Sequence, residues 1–246
     1  MLKLQFMPEH TRRVFEALAK EPLMKGFVLI GGTALSIQIG HRLSEDLDFW
    51  LPVTSMSKDR VDAILSKLGA MGLHHEFVTP AWQISQARIN GIDLLSLGRD
   101  HVIDGVKVTF FAHDDAPYRH FAGMKKIKSK TRFGIADEDT LFNIKSWLIS
   151  QRVRSRDLYD LMLLMQRGRT IQQIFDAGAQ ADPSFQREYA KEVLIGNVPV
   201  DAGDEGFDSI GLKLTIRDIH QFFLSALNEY EIRLAASIIE QIPAKR

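Results

Sequence analysis

Phe27-Val28-Leu29-Ile30-Gly31-Gly32-Thr33-Ala34-Leu35, followed shortly by His41-Arg42-Leu43-Ser44-Glu45-Asp46-Leu47-Asp48-Phe49, is the stretch that decides the fold. The apolar run 27–30 predicts a strand. Two glycines and a threonine follow, then a short amphipathic helix over Thr33–Ile39 that Gly40 ends. A second strand is expected over Asp46–Leu51, stopped by Pro52. Strand, Gly-rich turn, helix, strand is a layout that cradles phosphate. Glycines let backbone N–H groups approach an anion, and a helix N-terminus adds the positive end of its dipole. Asp46 and Asp48 lie two apart on a strand, so they share one face while Leu47 and Phe49 point to the other. Two carboxylates held this close repel unless a cation sits between them, and their hard oxygens suit a divalent metal that would bridge to the same phosphates. A Gly pair or an Asp-x-Asp pair is common by itself; their order and spacing carry the signal. Ser44 reads as a turn former or as a hydrogen-bonding partner of the loop that places Asp46. Arg42 is within reach of a phosphate or an acceptor, whereas His41 reads more readily as a polar turn after Gly40.

Helix and strand signals alternate on either side of this stretch. Helices are expected over Pro8–Lys25 and over Ser57–Met71, the latter with a Ser57 cap and a Gly72 stop. Strands are expected at His75–Thr79, Trp82–Ile89, Ile92–Leu97 and Val106–Phe111, with Gly91 and Asp104-Gly105 at turns. This is an α/β (α+β) domain with a mixed sheet over residues 1–118. Residues 119–246 read as a basic linker and a helical domain. Helical spacing runs over Asp137–Arg152, Ser155–Gln166, Ile171–Ala179, Ser184–Leu194 and Ile216–Ile242, the last closed by Pro243. Asn197–Gly211 reads as a long loop.

Composition narrows the chemistry. The chain has 246 residues, enough for one large domain or two small ones, and 31 Lys/Arg balance 31 Asp/Glu. No global field therefore recruits nucleic acid or membrane. There are no cysteines, which excludes disulfides, thiolate metal sites and thiol nucleophiles. No apolar run approaches the ~18 residues of a membrane span, and the N-terminus lacks a signal-peptide pattern, so a cytoplasmic protein is expected. Charge is uneven along the chain, however. From Arg119 to Arg156, ten Lys/Arg stand against three Asp/Glu, a local basic face suited to a polyanion such as RNA.

A second constellation lies in the helical half. On the helix from Asp137 an apolar stripe runs through Leu141, Ile144 and Leu148, and Lys145 and Arg152 fall on or beside it. A lysine on an inward stripe needs an anion or a partner. Asp157 and Asp160 occupy one face of the next helix, with Arg156 adjacent. Two readings stand side by side: cations that grip a triphosphate, or an interhelical ion-pair network.

Together these motifs resemble the AbiEii/AbiGii-type nucleotidyltransferase toxins. The resemblance rests on Gly31–Leu35 with His41–Phe49, then Lys145…Arg152…Arg156-Asp157 and Tyr159-Asp160-Leu161, with Gly105–Phe111 as a middle strand. It spans roughly residues 25–170. It implies a nucleotidyltransferase-fold sheet domain followed by a helical C-terminal region. It also implies transfer from a nucleoside triphosphate with one or two Mg²⁺ ions to an acceptor hydroxyl such as the 3′ end of tRNA, opposed by a cognate antitoxin. On that resemblance Asp46 and Asp48 hold metal, and Asp46, Asp48, Lys145 and Asp157 are catalytic. Gly31, Gly32, Thr33, Arg42, Ser44, Lys145, Arg152 and Arg156 bind the nucleotide. The chain departs from the pattern at one place. Nucleotidyltransferases often carry a third carboxylate on a later strand, and here Val108-Thr109-Phe110 has none; Asp93 is the nearest candidate. That departure keeps open a module that binds nucleotide or partner without transfer, and a protein rather than an RNA acceptor.

Overall fold

Ile30 and Asp48 are register partners on antiparallel neighbouring strands, and the first half of the fold is organised around that pairing. The strands are β1 (Val28–Ile30) and β2 (Leu47–Leu51). With β3 (His75–Phe77), β4 (Gly98–Ile103), β5 (Val106–Ala112), β6 (Lys126–Ile127) and β7 (Gly134–Ala136) they form one sheet in the order β3-β4-β5-β2-β1-β7-β6. The sheet is mixed: β1–β7 and β2–β5 are parallel, the other neighbours antiparallel. This computed structural model describes residues 2–204, 206–207 and 211–241.

Alternation along the strands gives the sheet two unlike faces. Leu29, Phe49, Phe110 and Ile135 turn to one face and are fully buried. Phe27, Phe133 and Phe15 of α1 (Glu9–Lys20) join them in aromatic contacts, with ring centroids 4.9 Å apart for Phe49–Phe133 and 5.4 Å for Phe15–Phe133. Each buried phenyl ring contributes about 1.5–3 kcal/mol, so this cluster anchors the sheet. On the opposite face the same strands present Asp48, Thr109 and Asp100, all half-buried.

Most expected elements are present, with shifts that have local causes. α2 (Gly31–Ile39) takes both glycines into its first turn. α1 ends at Lys20 instead of Lys25, because Pro22 has no N–H to continue it; a separate 3₁₀ turn, Pro22–Met24, follows. α3 (Lys58–Ala70) has the expected Ser57 cap, which accepts from the Arg60 N–H at 3.3 Å. Two expected strands are helices: Trp82–Ile89 forms α4 (Ala81–Ile89), and Ile92–Leu97 contains the single turn α5 (Leu94–Leu97). No residue of either helix is fully buried. An apolar run that spaces its residues on an exposed surface does not obey sheet periodicity. Conversely, β4 lies in a stretch too polar to signal a strand, and β6, β7 and α6 (Ala116–Ala122) are short.

The chain divides into two compact units, residues 1–141 and 142–246. The boundary falls later than the expected 118/119, because β7 pairs with β1 and β6 with β7, which draws residues 126–136 into the first unit. The division lies within α7 (Glu138–Leu148). The second unit continues with α8 (Ser155–Gln166), α9 (Ile171–Ala181), α10 (Arg187–Ile195) and α11 (Ile216–Gln241). Its core includes Leu158, Leu161, Phe175, Val193, Phe223 and Leu227. No described residue of 197–211 lies in a helix or strand, as expected. The expected helix end at Ile242 and Pro243 lies outside the described residues.

Candidate active site

The antiparallel pairing of β1 and β2 brings the glycine turn to the aspartates. Gly31 follows Ile30 directly, so it stands beside Asp48, Ile30's register partner. The approach is close: a Cβ on Gly31 would lie 2.5 Å from Asp48 Oδ2, and Gly31 has φ +77°, a conformation that L side chains rarely adopt. Glycine is required there on both counts. The N-terminus of α2 has no side-chain cap and no acidic residue in its first turn. Its free N–H groups and its dipole suit an anion.

The loop that presents Asp46 is fastened from several directions. The Thr33 hydroxyl donates to the Asp46 carbonyl at 2.5 Å and shares a hydrogen bond of 2.8 Å with the Ser44 hydroxyl. Ser44 N–H donates to Phe6 O at 3.2 Å, and Thr11 Oγ1 donates to Glu45 O at 3.2 Å. Thr33 and Ser44 are buried, so their side chains set the loop's shape, and Thr33 offers an anion its backbone N–H. The expected role of Ser44 in fixing this loop is what the geometry shows. The contributions of Phe6 and Thr11 had no signal in the sequence, since Phe6 lies in an N-terminal 3₁₀ turn and Thr11 in α1, both distant along the chain. Arg42 is buried, donates to Leu43 O at 3.0 Å and packs its guanidinium over Gly32, the nearest group to that glycine's missing Cβ. The space above Gly32 is therefore filled by a cation in this state. His41 is half-buried.

Asp46 and Asp48 are half-buried at the start of β2. Their carboxylates are hard donors, and the missing Gly31 Cβ lets Asp48 Oδ2 lie against the start of α2, so the donor set fits a divalent ion. Among the described residues no group of three or more His, Asp or Glu forms a metal site. Asp93 does not join them: it precedes α5 in place of lying on a strand, and it pairs with Lys58 at 2.9 Å. The acid that does share the face is Asp100, two strands from Asp48, which accepts from Thr109 Oγ1 at 2.7 Å. The inward alternation of His101 and Ile103 is the signal that would have placed it.

In the second unit, Lys145, Arg152, Asp157 and Asp160 form one network. Lys145 Nζ lies 2.6 Å from Asp157 Oδ1 and 2.8 Å from Asp160 Oδ2. Arg152 donates to Asp157 Oδ2 through Nε at 3.1 Å and Nη2 at 3.0 Å. Lys145, Asp157 and Asp160 are buried, whereas the Arg152 side chain is 49% exposed. Burial disfavours the charge on Lys145, but the Asp157 and Asp160 carboxylates outweigh it and raise its pKa. Burial likewise works against the Asp157 carboxylate, and Lys145 and Arg152 pull its pKa below the ordinary value. These contacts join the four side chains into an ion-pair network between α7 and α8. Arg156 turns elsewhere, donating from Nε to Gly206 O at 2.9 Å. Asp204 accepts from Ser155 N–H at 3.0 Å, at the first residue of α8.

The chain matches the family described as nucleotidyl transferase AbiEii toxin, type IV toxin–antitoxin system, over residues 13–229. It belongs to that family. It is a nucleotidyltransferase toxin of mixed α/β architecture, and nucleotidyltransferases of this kind use a nucleoside triphosphate and a divalent metal. An uncharacterised protein of Aquifex aeolicus (strain VF5) is 28% identical over 162 residues, covering 65% of this chain and 68% of that protein. Among solved structures, MenT4, a nucleotidyltransferase toxin from Mycobacterium tuberculosis H37Rv, aligns with a TM-score of 0.47 at 14% identity, covering 88% of this chain and 86% of that one. The Megavirus polyadenylate synthase aligns with a TM-score of 0.42 at 14% identity, covering 64% of this chain and 31% of that one. No helix among the described residues is long and apolar enough to cross a membrane.

Proposed function

We propose that this toxin moves a nucleotide from a nucleoside triphosphate to a hydroxyl of an RNA, the acceptor oxygen bonding to the α-phosphorus as pyrophosphate leaves, with tRNA 3′ ends the favoured acceptor, in a Mg²⁺-dependent reaction that a cognate antitoxin opposes. The observation that carries the reading is Asp48 set against Gly31 at the uncapped start of α2, which joins a carboxylate to a phosphate cradle. Asp46 and Asp48 would hold Mg²⁺, which when bound neutralises charge developing on the transferred phosphoryl group. The N–H groups of Gly32 and Thr33 would receive phosphate oxygens, with the Arg42 guanidinium adjoining them. Thr33 and Ser44 keep Asp46 in place, so little reorganisation is needed when substrate arrives.

Of the two cations in the second unit's network, the one that an anion can reach is Arg152, whose side chain is 49% exposed, and we assign anion binding to it. Lys145 is neutralised by two carboxylates, and its role is to hold the helices together. Asp157 keeps a depressed pKa, which makes it a poor proton acceptor near neutral pH; we assign it to positioning Arg152. RNA is favoured over protein as acceptor by residues 125–132. Lys125, Lys126, Lys128, Lys130 and Arg132 are all exposed there, and among the described residues none has an ion-pair partner.

Incubating the purified chain with each α-³²P-labelled nucleoside triphosphate, Mg²⁺ and total tRNA tests the proposal. Label on RNA with one or two of the nucleotides is expected, abolished by EDTA. Label on the protein itself or on an added protein fraction would replace RNA as acceptor, and no label under any condition would overturn the transfer reading.

A further inference from the structure

A row of three side chains crosses the open face of the sheet. Asp48 on β2 is the register partner of Thr109 on β5, and Thr109 is the register partner of Asp100 on β4. Register partners on neighbouring strands project to the same face, about 5 Å apart. The residues flanking them along each strand, Leu47 and Phe49, Val108 and Phe110, His101, point the other way and are buried. Thr109 thus stands one strand from Asp48, and Asp100 one strand further.

The Thr109 hydroxyl has a single proton, and it is committed: Oγ1 donates to Asp100 Oδ1 at 2.7 Å. What the oxygen has left is lone pairs. A carboxylate that takes a ligand's proton also raises the basicity of the ligating atom, as it does for metal-bound histidines. Asp100 is itself held in position. Its N–H donates to Thr79 Oγ1 at 2.8 Å, and its carbonyl accepts from Val78 N–H at 3.0 Å. The neighbouring Arg99 turns to Asp62, 2.6 Å away, and among the described residues no cation pairs with Asp100. Its full negative charge is therefore available to Thr109.

Building on the assignment of a divalent ion to Asp46 and Asp48, we infer that the Thr109 hydroxyl is a neutral oxygen ligand of that ion, with Asp100 as the residue that positions and polarises it. The pair does the work of a third carboxylate while keeping the third negative charge one strand away from the other two. Direct placement of an acid at residue 109 would add a like charge beside Asp48 in the metal-free protein; the hydroxyl avoids that.

The test is Mn²⁺ binding to the full chain without nucleotide, read from the electron paramagnetic resonance signal of free Mn²⁺, with thermal melts in EDTA alongside. Thr109→Val, close to isosteric, should raise the Kd for Mn²⁺ about tenfold and leave the melt in EDTA near the parent's. Thr109→Ser should restore parental affinity. Asp100→Asn should weaken Mn²⁺ binding less than Thr109→Val, since an amide oxygen still accepts the proton without the charge. Should the valine disturb the fold, Thr109→Ala carries the same expectation. Unchanged affinity in Thr109→Val and Thr109→Ala, with or without an earlier melt, overturns the inference provided Asp48→Asn abolishes binding. If Asp48→Asn binds Mn²⁺ like the parent, or if the parent binds none, the two-carboxylate reading beneath it is what fails.

Discussion

Asp46 and Asp48 in the first unit, and Lys145, Arg152, Asp157 and Asp160 in the second, are both clusters of charge, but they follow opposite electrostatic logic. The first pair carries one sign and is half-buried beside a helix start, Asp46 just before β2 and Asp48 on it, with the Arg42 guanidinium over the neighbouring Gly32. The second set is balanced, two cations against two carboxylates, with all but Arg152 withdrawn from water. The first pair offers hard oxygens that suit a divalent ion; a balanced buried set is satisfied by folding itself. The difference teaches how to separate residues kept for a ligand from residues kept for the fold when both are charged and both fall in a family motif. It also says which variants should change stability and which activity.

The largest effect is expected in the balanced set. Lys145→Met leaves Asp157 and Asp160 buried without the ammonium between them, and the unfolding free energy from urea titration should fall by about 3–5 kcal/mol. The pH dependence has a definite sign. Asp157 is depressed below its ordinary 3.8, so its contribution is complete above that value and is lost as pH falls through the lower folded pKa. Lys145 is raised above 10.5, so its contribution is present below that value and is lost as pH rises through the higher folded pKa. Stability should be flat between these limits, and Asp157→Asn should flatten the acid limb. A Lys145→Met variant as stable as the parent would put that residue back among the ligand-binding cations.

Asp48→Asn should do the reverse. Transfer activity should drop at least about a hundredfold, roughly 2.7 kcal/mol at the transition state. The melt in EDTA should stay near the parent's, because Asp48 is half-buried and asparagine keeps its volume. The upward shift of the parent's melt on adding Mg²⁺ should vanish. An earlier melt in EDTA with Mg²⁺ stabilisation intact would make Asp48 a structural residue and erase the contrast.

The first cluster was legible because its determinants are local: a turn, a short helix and a strand within residues 27–51. The period-two rule is the source of the expectation that Asp46 and Asp48 share a face; the strand itself begins one residue later than expected, at Leu47. The second cluster was legible in membership, and its sequence supports two roles. Helical spacing puts Lys145 on the inward stripe, but whether it meets a carboxylate or awaits an anion depends on how α7 and α8 pack. Asp100 stayed hidden because Arg99, Asp100 and His101 carry no strand signal of their own; only pairing with β5 makes β4 a strand. Trp82 and Ile89 misled in the opposite direction, as apolar residues on an exposed helix.

A smaller effect should isolate the contact between the glycine turn and the metal pair. Gly31 and Gly91 have nearly the same φ, +77° and +72°, but a Cβ on Gly91 would meet nothing within 4 Å, whereas one on Gly31 would press on Asp48. Gly91→Ala should lose about 1–2 kcal/mol, the cost of an alanine in the left-handed region. Gly31→Ala should lose that and more, and should weaken Mn²⁺ binding as well. Equal losses with equal metal affinity would mean that Asp48 moves aside at no cost.

The smallest effect on the fold, and the one most specific to the acceptor, is expected at the basic hairpin. Its cations differ from Arg154 and Arg156 of the second unit: Arg154 lies 3.6 Å from Asp201 and Arg156 donates to Gly206 O, whereas Lys125, Lys128 and Lys130 are exposed with no ion-pair partner. Lys126 is left intact because its stem packs on Gly134, filling the place of the missing Cβ. Reversing Lys125, Lys128 and Lys130 to Glu should therefore move the unfolding free energy by no more than about 0.5 kcal/mol. If acceptor RNA lies on this hairpin, its KM should rise and the slope of log affinity against log salt should flatten by up to about two units, since each phosphate that the protein no longer neutralises takes roughly 0.7–0.9 from the slope. The KM for the nucleoside triphosphate should hold, because no residue of 125–130 belongs to the Gly31–Asp48 cluster. A salt slope equal to the parent's would place the acceptor elsewhere and leave the lysines the simpler task of keeping the exposed edge strand β6 from pairing with another sheet.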